Sequence, residues 1–542
     1  MTSQTHEVFN QVPPLADYNL HARDAALQEA VAREGAAQFQ AFLGARGSEL
    51  GSAAMLTLAD AANRFTPALK LFDATGHRRD VVEFHPAYHE LMAWLKRHGA
   101  AAGPWASPAP GAHVARAALY YLYAQIEDGT LCPTTMTYAS VPALRNDQAL
   151  AAQWLPRILS NEYDPRFIPP EQKRGVTIGM GMTEKQGGSD VRANTTRAEP
   201  VGGRFFRVVG HKWFFSAPMC DAFLILAQAQ GGLSCFLLPR FAPDGTVNAI
   251  RIQRLKDKLG DRSNASSEVE FTGAHAELVG EEGRGIATIL EMGTYCRLDC
   301  ALGTAGLTRG AVTQALHHAR HRRAFGERLE DQPLMRNVLA DLALESEAGV
   351  ALALRLARAF DASDENAVLL RRLLTPAAKF WICKRGPAVA VEAMEVLGGN
   401  GYVEEMPLAR IYRQMPLNSI WEGSGNVMGL DVLRALARHP RCLDVLAEEL
   451  APARSGNPAF DRYADAMLRD LAAGADESSA RIVAQRIALA VQGALLVRFA
   501  PAFVSDAFCA SRLTPDVFAG GAFGTLRAGA SAHAIMGRAW PD

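Results

Sequence analysis

Apolar residues recur at helical intervals through Asp24-Ala25-Ala26-Leu27-Gln28-Glu29-Ala30-Val31 and again through His113-Val114-Ala115-Arg116-Ala117-Ala118-Leu119-Tyr120. That spacing lays one apolar stripe along a helix. The Ala-rich helical pattern runs from about Leu27 to Leu159. Between Gly175 and about Gly280 the texture changes to short runs rich in aromatic and β-branched residues: Phe205-Phe206-Arg207-Val208-Val209-Gly210, Phe223-Leu224-Ile225-Leu226-Ala227, Ser234-Cys235-Phe236-Leu237-Leu238-Pro239 and Ser267-Glu268-Val269-Glu270-Phe271. Gly, Asp and Pro separate them, which predicts a small antiparallel β domain. From Gly285 to about Arg438 the helical pattern returns. Asp331-Gln332-Pro333-Leu334 marks one helix start, and Thr375-Pro376-Ala377-Ala378-Lys379 reads as an N-cap followed by Pro at the first helical position. Past His439-Pro440 a Pro/Ala/Gly-rich linker leads into further helices. The closing stretch from Gly520 to Asp542 is Gly/Ala-rich and is expected to be loosely ordered.

Composition narrows the class. A chain of 542 residues is long enough for roughly three to four domains. Hydrophobic residues make up 49% and charged ones 21%, the balance of a soluble globular protein. Net charge is −1, so no overall field draws nucleic acid or acidic lipid. No apolar run reads as a membrane span, and Met1-Thr2-Ser3-Gln4-Thr5-His6-Glu7 lacks the basic and apolar regions of a secretory signal. These features predict a cytoplasmic protein. The 8 cysteines are scattered without a CxxC pair. Cys296 and Cys300 share a helix face, but no second pair completes a metal site, so buried reduced thiols are expected.

The candidate chemistry starts at Ser419-Ile420-Trp421-Glu422-Gly423-Ser424-Gly425-Asn426. Here a carboxylate stands beside an indole in a Gly/Ser turn. Trp421 excludes water from one side, which is expected to raise the pKa of Glu422 and make it a usable base near neutral pH. Gly423 and Gly425 let the backbone approach a flat ligand. Alone, the segment equally describes a helix N-terminus with an acidic cap. Three more segments accompany it: Met182-Thr183-Glu184-Lys185-Gln186-Gly187-Gly188-Ser189-Asp190, Arg322-Arg323-Ala324-Phe325-Gly326 and Glu395-Val396-Leu397-Gly398-Gly399-Asn400-Gly401-Tyr402. In order and rough spacing the four resemble the acyl-CoA dehydrogenase flavoproteins. Thr5-His6-Glu7-Val8-Phe9-Asn10-Gln11, Gly179-Met180-Gly181, Leu255-Lys256-Asp257-Lys258-Leu259-Gly260 and the long C-terminal extension resemble its AidB branch, flavoproteins of the adaptive response to DNA alkylation. The similarity runs from about Thr5 to Leu436 and fades beyond.

This resemblance implies an α+β, mostly α architecture: a helical domain at 1–178, a flavin-binding β domain at 179–284, a four-helix bundle with the base at 285–438, and a helical extension at 439–542. It implies FAD and a homotetramer built as a dimer of dimers. Met180, Gly181, Met182, Thr183, Glu184, Lys185, Gln186, Gly187, Gly188 and Ser189 would hold the isoalloxazine and phosphates, through backbone N–H groups at the glycines and hydroxyls at Thr183 and Ser189. Lys185 stands where the family usually has Pro, which would change solvent access to the flavin face. Among Phe214, Phe215 and Ser216, Ser216 takes the place of a Thr facing flavin N5 and Phe214 that of a stacked Trp. Trp213 would point to the opposite face of a regular strand and so cannot stand in for it. Arg322 would fork onto the pyrophosphate, Gln332 would bond the ribose or adenine, and with Phe325 they would reach FAD of a neighbouring subunit, as would Gly398 and Gly399. Ile420, Trp421, Gly423, Ser424, Gly425 and Asn426 would complete the flavin contacts around Glu422. Glu422 is the only base the pattern supplies, since Cys296 stands before Arg297 where some relatives carry theirs. His317, His318 and His321 sit at helical spacing, but the nearest carboxylate, Glu327, lies off that face, and no metal is expected.

The resemblance to the AidB branch implies binding of double-stranded DNA through the C-terminal helical domain. Past Arg438 the permanent cations here are all Arg: Arg441, Arg454, Arg462, Arg469, Arg481, Arg486, Arg498, Arg512, Arg527 and Arg538. Asp444, Glu448, Glu449, Asp461, Asp465, Asp470, Asp476, Glu477, Asp506, Asp516 and Asp542 balance them. Arg-only usage suits phosphate contacts if the side chains share a face. Solvated faces of an ordinary bundle explain it as well. The leading expectation is a DNA-associated flavoprotein that protects against alkylation and retains weak dehydrogenase activity on short or branched acyl-CoA. A metabolic acyl-CoA dehydrogenase with no role at DNA, and a DNA-shielding protein with structural FAD, are the alternatives.

Overall fold

The computed structural model describes residues 5–514, 521–526 and 529–541. Arg527, Asp516, Asp542 and part of the expected loose terminus therefore lie outside the described residues. Cα proximity divides the chain into two compact units: Leu56–Ala112 with Glu127–Asp299, and Met1–Met55 with His113–Ile126 and Cys300–Asp542.

The first of these carries the sheet. Strands β1 (Ala68–Phe72) and β2 (Arg78–Glu83) form an antiparallel hairpin inside the stretch expected to be helical. Its turn is closed by the Asp73 carboxylate, which accepts from the N–H groups of Thr75 (2.9 Å) and His77 (3.0 Å), a local competitor to helix. The main sheet contains β3 (Ile178–Gly181), β4 (Arg197–Gly202), β5 (Phe205–Ser216), β6 (Ala222–Ala229), β7 (Gly232–Pro239), β8 (Ile250–Leu255) and β9 (Ser266–Val279). The order is β3-β6-β4-β5-β9-β7, with β8 on β9 and β6 also paired to β7. Most pairings are antiparallel, but β3 runs parallel to β6, with Met180 opposite Leu224. Phe215, Phe223, Phe236 and Phe271 are fully buried and form the sheet's core. Buried Asp80 anchors the hairpin to β8 by accepting from the Ile252 N–H at 2.9 Å.

The second unit is helical. The helices Gly285–His321 (from Cys300 onward), Pro333–Asp361, Glu365–Leu397 and Gly425–Arg438 make up its bundle. Pro333 occupies the first turn of its helix as expected. Thr375 is not an N-cap: the helix starts ten residues earlier, capped by Asp364, whose side chain accepts from the Ala367 N–H. Thr375 Oγ1 instead donates to the Arg371 carbonyl at 2.7 Å. Leu369, Leu370, Leu373 and Leu374 are buried, and that apolar face carries the helix through Pro376 at the loss of one backbone hydrogen bond.

The extension is built into the same unit. Its Ala480–Phe499 helix buries Ile487, Leu489, Val491 and Leu495. The segment Glu477–Phe499 is long and apolar enough to cross a membrane, which corrects the reading that no such run exists, but 67% of its apolar window is buried in the protein. It is the core helix of the extension. Arg512 reaches Asp341 at 2.5 Å and Glu345 at 3.3 Å, and Arg385 joins Glu345 at 3.2 Å, all within the interior. At the terminus the carbonyls of Ala539, Trp540 and Pro541 accept from Arg309, Arg320 and Arg23, and Trp540 is buried.

Candidate functional site

Glu422 lies half-buried in the turn ahead of the Gly425–Arg438 helix, for which Ser424 is the N-cap residue. Its φ is 57°, a left-handed conformation that is uncommon for a residue with a β-carbon and marks stored strain. The turn is held from beneath. Lys379 Nζ donates to the carbonyls of Asn418 (2.9 Å) and Gly423 (2.8 Å). Asn418, itself buried, accepts from the Trp421 indole N–H at 2.9 Å and donates to Thr304 Oγ1 at 3.1 Å. Ile420 is 64% exposed, so the turn presents an apolar edge and a carboxylate while its frame is buried. Asn426 is exposed, and Gly425 is buried where an added β-carbon would lie 2.9 Å from Lys384 Cε.

In the sheet unit the loop after β3 is pinned by one residue. Glu184 is buried and its side chain accepts from Lys212 Nζ (2.9 Å), the Thr195 N–H (2.7 Å), the Thr196 N–H (3.2 Å) and Gln186 Nε2 (2.8 Å). Burial opposes its ionisation most strongly, but the Lys212 charge and these donors together outweigh it and hold the carboxyl far below the usual range. Burial pushes Lys212 down to about 8 against the pull of Glu184. With Glu184 turned inward, residues 185–190 are exposed. The Lys185 N–H is taken by His211 Nε2 at 3.0 Å and the Gly187 N–H by the Glu184 carbonyl at 3.0 Å. The N–H groups of Gly188 and Ser189 make no hydrogen bond among the described residues. Gly188 has no room for a side chain, since a β-carbon would lie 2.4 Å from Thr183 Oγ1. Two unspent amides in a glycine cradle, flanked by the Thr183 and Ser189 hydroxyls, fit a phosphate or a flavin edge. Met180, Gly181, Glu184 and, on β5, Phe215 are buried, with Phe215 packed 4.3 Å from Phe223, so the side chains of Glu184 and Phe215 serve the interior.

Strand β5 departs from alternation where the aromatics stand. Lys212 pairs with Val269 and Phe215 with Ser267, so Trp213 and Phe214 together oppose one residue of β9. This is a β-bulge, and it re-aims side chains. Lys256 Nζ lies 3.4 Å from the Trp213 ring centre and 4.6 Å from that of Phe214, and it is anchored to Glu268 at 2.7 Å. The two rings thus flank one ammonium instead of pointing apart, which overturns the alternation argument. Lys256 caps the Trp213 face, whereas Phe214 is 50% exposed. Ser216, half-buried, lies 3.4 Å from Ser266 Oγ.

Arg322 precedes a two-residue hairpin of β10 (Arg323–Ala324) and β11 (Glu327–Arg328). Phe325 at its tip is 99% exposed with φ 54°. The Arg322 guanidinium donates to the Asn10 carbonyl, and Gln332 Nε2 donates to the Ala324 carbonyl at 3.0 Å. Gly398 and Gly399 are exposed, with open space where β-carbons would be. Ring nitrogens of His317 and His321 meet the carbonyls of Pro13 and His317. A separate cavity of about 240 Å³ in the sheet unit is lined by residues including Val82, Phe84, Tyr88, Phe167 and Met219. Its polar members bond one another or their neighbours, as His89 Nδ1 does with the Tyr163 hydroxyl at 3.0 Å and Lys173 with Asp221 at 2.6 Å. Lys379, Asn418, Lys212 and Lys256 escaped the sequence reading. The available signal was a single Lys inside an apolar stretch, as in Ala377-Ala378-Lys379-Phe380-Trp381.

Comparison with known proteins identifies the family. The model of the adaptive response protein AidB N-terminal domain matches residues 10–165, that of the acyl-CoA dehydrogenase middle domain 179–274, and that of the acyl-CoA dehydrogenase C-terminal domain 283–437. AidB of Escherichia coli (strain K12) is 51% identical over 93% of this chain and 94% of its own. Caenorhabditis elegans ACDH-11, solved in complex with C11-CoA, is similar with TM-score 0.85 and 26% identity, covering 94% of each chain. The Bd2924 apo-form is similar with TM-score 0.80 and 29% identity, covering 91% of this chain and 100% of its own.

Proposed function

The chain belongs to the AidB branch of the acyl-CoA dehydrogenase family, and from that premise we propose that it oxidises a short or branched acyl-CoA thioester across its α,β bond, with FAD as cofactor. The observation that carries the reading is the Glu422 turn. A carboxylate held in a strained backbone conformation, presented from a buried frame, is the build of a base kept in place for use. In this reading Glu422 takes the α-proton of the thioester. FAD, the cofactor of the family, supplies the acceptor for the hydride lost from the β-carbon. Gly188 and Ser189 offer N–H donors to it, Thr183 and Ser216 offer hydroxyls, and Phe214 offers an exposed ring. The fully exposed Phe325 hairpin supports the expectation that Arg322 and Gln332 serve the FAD of a neighbouring subunit in a homotetramer. The test is anaerobic titration of the yellow protein with a panel of short linear and branched acyl-CoAs. Flavin bleaching by one of them, lost in Glu422→Gln with FAD still bound, is the expected result; a panel that bleaches nothing refutes the reading.

A second reading places the protein on double-stranded DNA in the response to alkylation. Its support is the likeness to AidB and a specific feature of the extension. Arg441, Arg454, Arg486, Arg512 and Arg538 are each ion-paired to a carboxylate. Arg462, Arg469, Arg481 and Arg498 are exposed and form no ion pair among the described residues. Four such guanidiniums per chain, multiplied in an oligomer, would suit sequence-tolerant, salt-sensitive phosphate contacts.

A further inference from the structure

Lys379 is 1% exposed on the Glu365–Leu397 helix. Its ammonium donates to two main-chain carbonyls, Asn418 at 2.9 Å and Gly423 at 2.8 Å, and among the described residues it forms no ion pair. A buried cation with no carboxylate partner is costly. What it holds together explains its presence. The two carbonyls bracket Ser419-Ile420-Trp421-Glu422, so one nitrogen ties both ends of the turn that carries the carboxylate. Within that bracket Glu422 keeps its φ of 57°, a conformation that persists only where the surroundings over-determine it. Asn418 adds the second tie, from Thr304 on one side to the Trp421 indole on the other.

We propose that Lys379 is the positioning residue for the base: it staples the Asn418–Gly423 turn shut and so holds Glu422 in its left-handed conformation. The role given to Glu422 rests on the enzymatic reading above, whereas the staple itself does not. The test uses full-length, FAD-loaded protein. In Lys379→Met the stem keeps its length and both charged hydrogen bonds are lost. Hydrogen exchange of peptides covering residues 417–426 is expected to quicken tenfold or more, with exchange in the Pro458–Ala473 helix unchanged. Stopped-flow reduction by butyryl-CoA or isovaleryl-CoA is expected to lose at least tenfold in limiting rate, with the apparent Kd of the acyl-CoA within twofold. Lys379→Gln keeps an amide donor and is expected to fall between wild type and Met. It also carries the test if the Met variant does not fold. Exchange within twofold of wild type in both variants overturns the staple. A slower reduction accounted for entirely by weaker acyl-CoA binding overturns the positioning role. Wild-type flavin that no acyl-CoA bleaches refutes the enzymatic reading, and the exchange rates then decide the staple alone.

Discussion

Replacing Lys212 by Met removes the cation from beneath the β3 loop, and the structure sets the size of the effect. Lys212 and Glu184 meet at 2.9 Å with neither side chain exposed. Breaking such a pair from one side costs about 3–5 kcal/mol, because the surviving charge stays buried. Two features adjust that figure. Glu184 keeps donors from Thr195, Thr196 and Gln186, which points to the lower end. The Leu226 carbonyl loses its 2.8 Å bond from Lys212, which adds about 1 kcal/mol or more for a buried acceptor left bare. We expect a loss of about 3–4 kcal/mol in urea unfolding followed by intrinsic tryptophan fluorescence, together with release of FAD on the proposed reading that residues 185–189, which the same clasp shapes, hold it. The sign of the pH dependence follows from Glu184. Its folded-state pKa is depressed, so in wild type its stabilising share is present above the unfolded value of about 4.3 and is lost as pH falls through the folded one. In the variant the unpaired carboxyl favours its protonated form, so the gap between the two proteins narrows on acidification. Lys212, pushed down to about 8, adds a term that favours the fold as pH rises from there toward its unfolded value. A loss below about 1 kcal/mol, or a gap that widens in acid, would refute the reasoning. Pairing the change with Glu184→Leu is expected to recover only part of the loss, because the Thr195 and Thr196 amides would then be bare.

Three other outcomes are expected. Glu422→Gly is expected to be more stable than Glu422→Ala by about 1 kcal/mol in urea unfolding, because only glycine relieves a left-handed φ; equal stability would mean that the turn is not strained. Deleting residues 439–542 is expected to yield aggregated or unfolded protein, because the Ala480–Phe499 helix and the Arg512 lock are interior parts of the helical unit; a folded, yellow truncated protein by size exclusion would contradict this. Arg462→Glu with Arg469→Glu is expected to weaken binding of a short duplex in fluorescence anisotropy and to flatten its salt dependence; unchanged binding places any DNA surface elsewhere.

The fold was legible where local chemistry and tertiary packing agree. Strands β5, β6, β7 and β9 coincide with the aromatic and β-branched runs, and the Pro333 helix start is where the cap pattern puts it. The misses have identifiable causes. Thr375-Pro376 carries a helix-start signature, but the buried leucines ahead of it favour a continuous helix. The β1–β2 hairpin depends on one Asp73 carboxylate and on Asp80 meeting β8, a partner more than a hundred residues away. The bulge at Trp213 is a property of pairing with β9, and no pattern within β5 announces it. At the candidate site the motifs themselves were legible, because glycine, serine and an acidic residue beside an indole are unusual in sequence. The residues that hold those motifs in place were not. Lys379 and Lys212 act from a helix and a strand whose neighbours are apolar, and each grips a segment distant in the chain.

That asymmetry bears on how an AidB-like chain is altered by mutation. Changes at Ser189 or Glu422 alter side chains that no buried network of the fold depends on, whereas Gly188 has no room for a β-carbon. Changes at Lys212, Lys379 or Asn418 leave every motif intact in sequence while releasing its geometry, because each satisfies several buried groups at once. The extension follows the same logic on a larger scale. Its surface arginines read as detachable chemistry, yet Arg512 and Trp540 are interior anchors of the helical unit. The proposed DNA binding is therefore to be separated from the proposed dehydrogenation by charge substitution at exposed positions and not by truncation. Loss of both proposed functions on truncation would report the collapse of one packed unit and not the position of either proposed site.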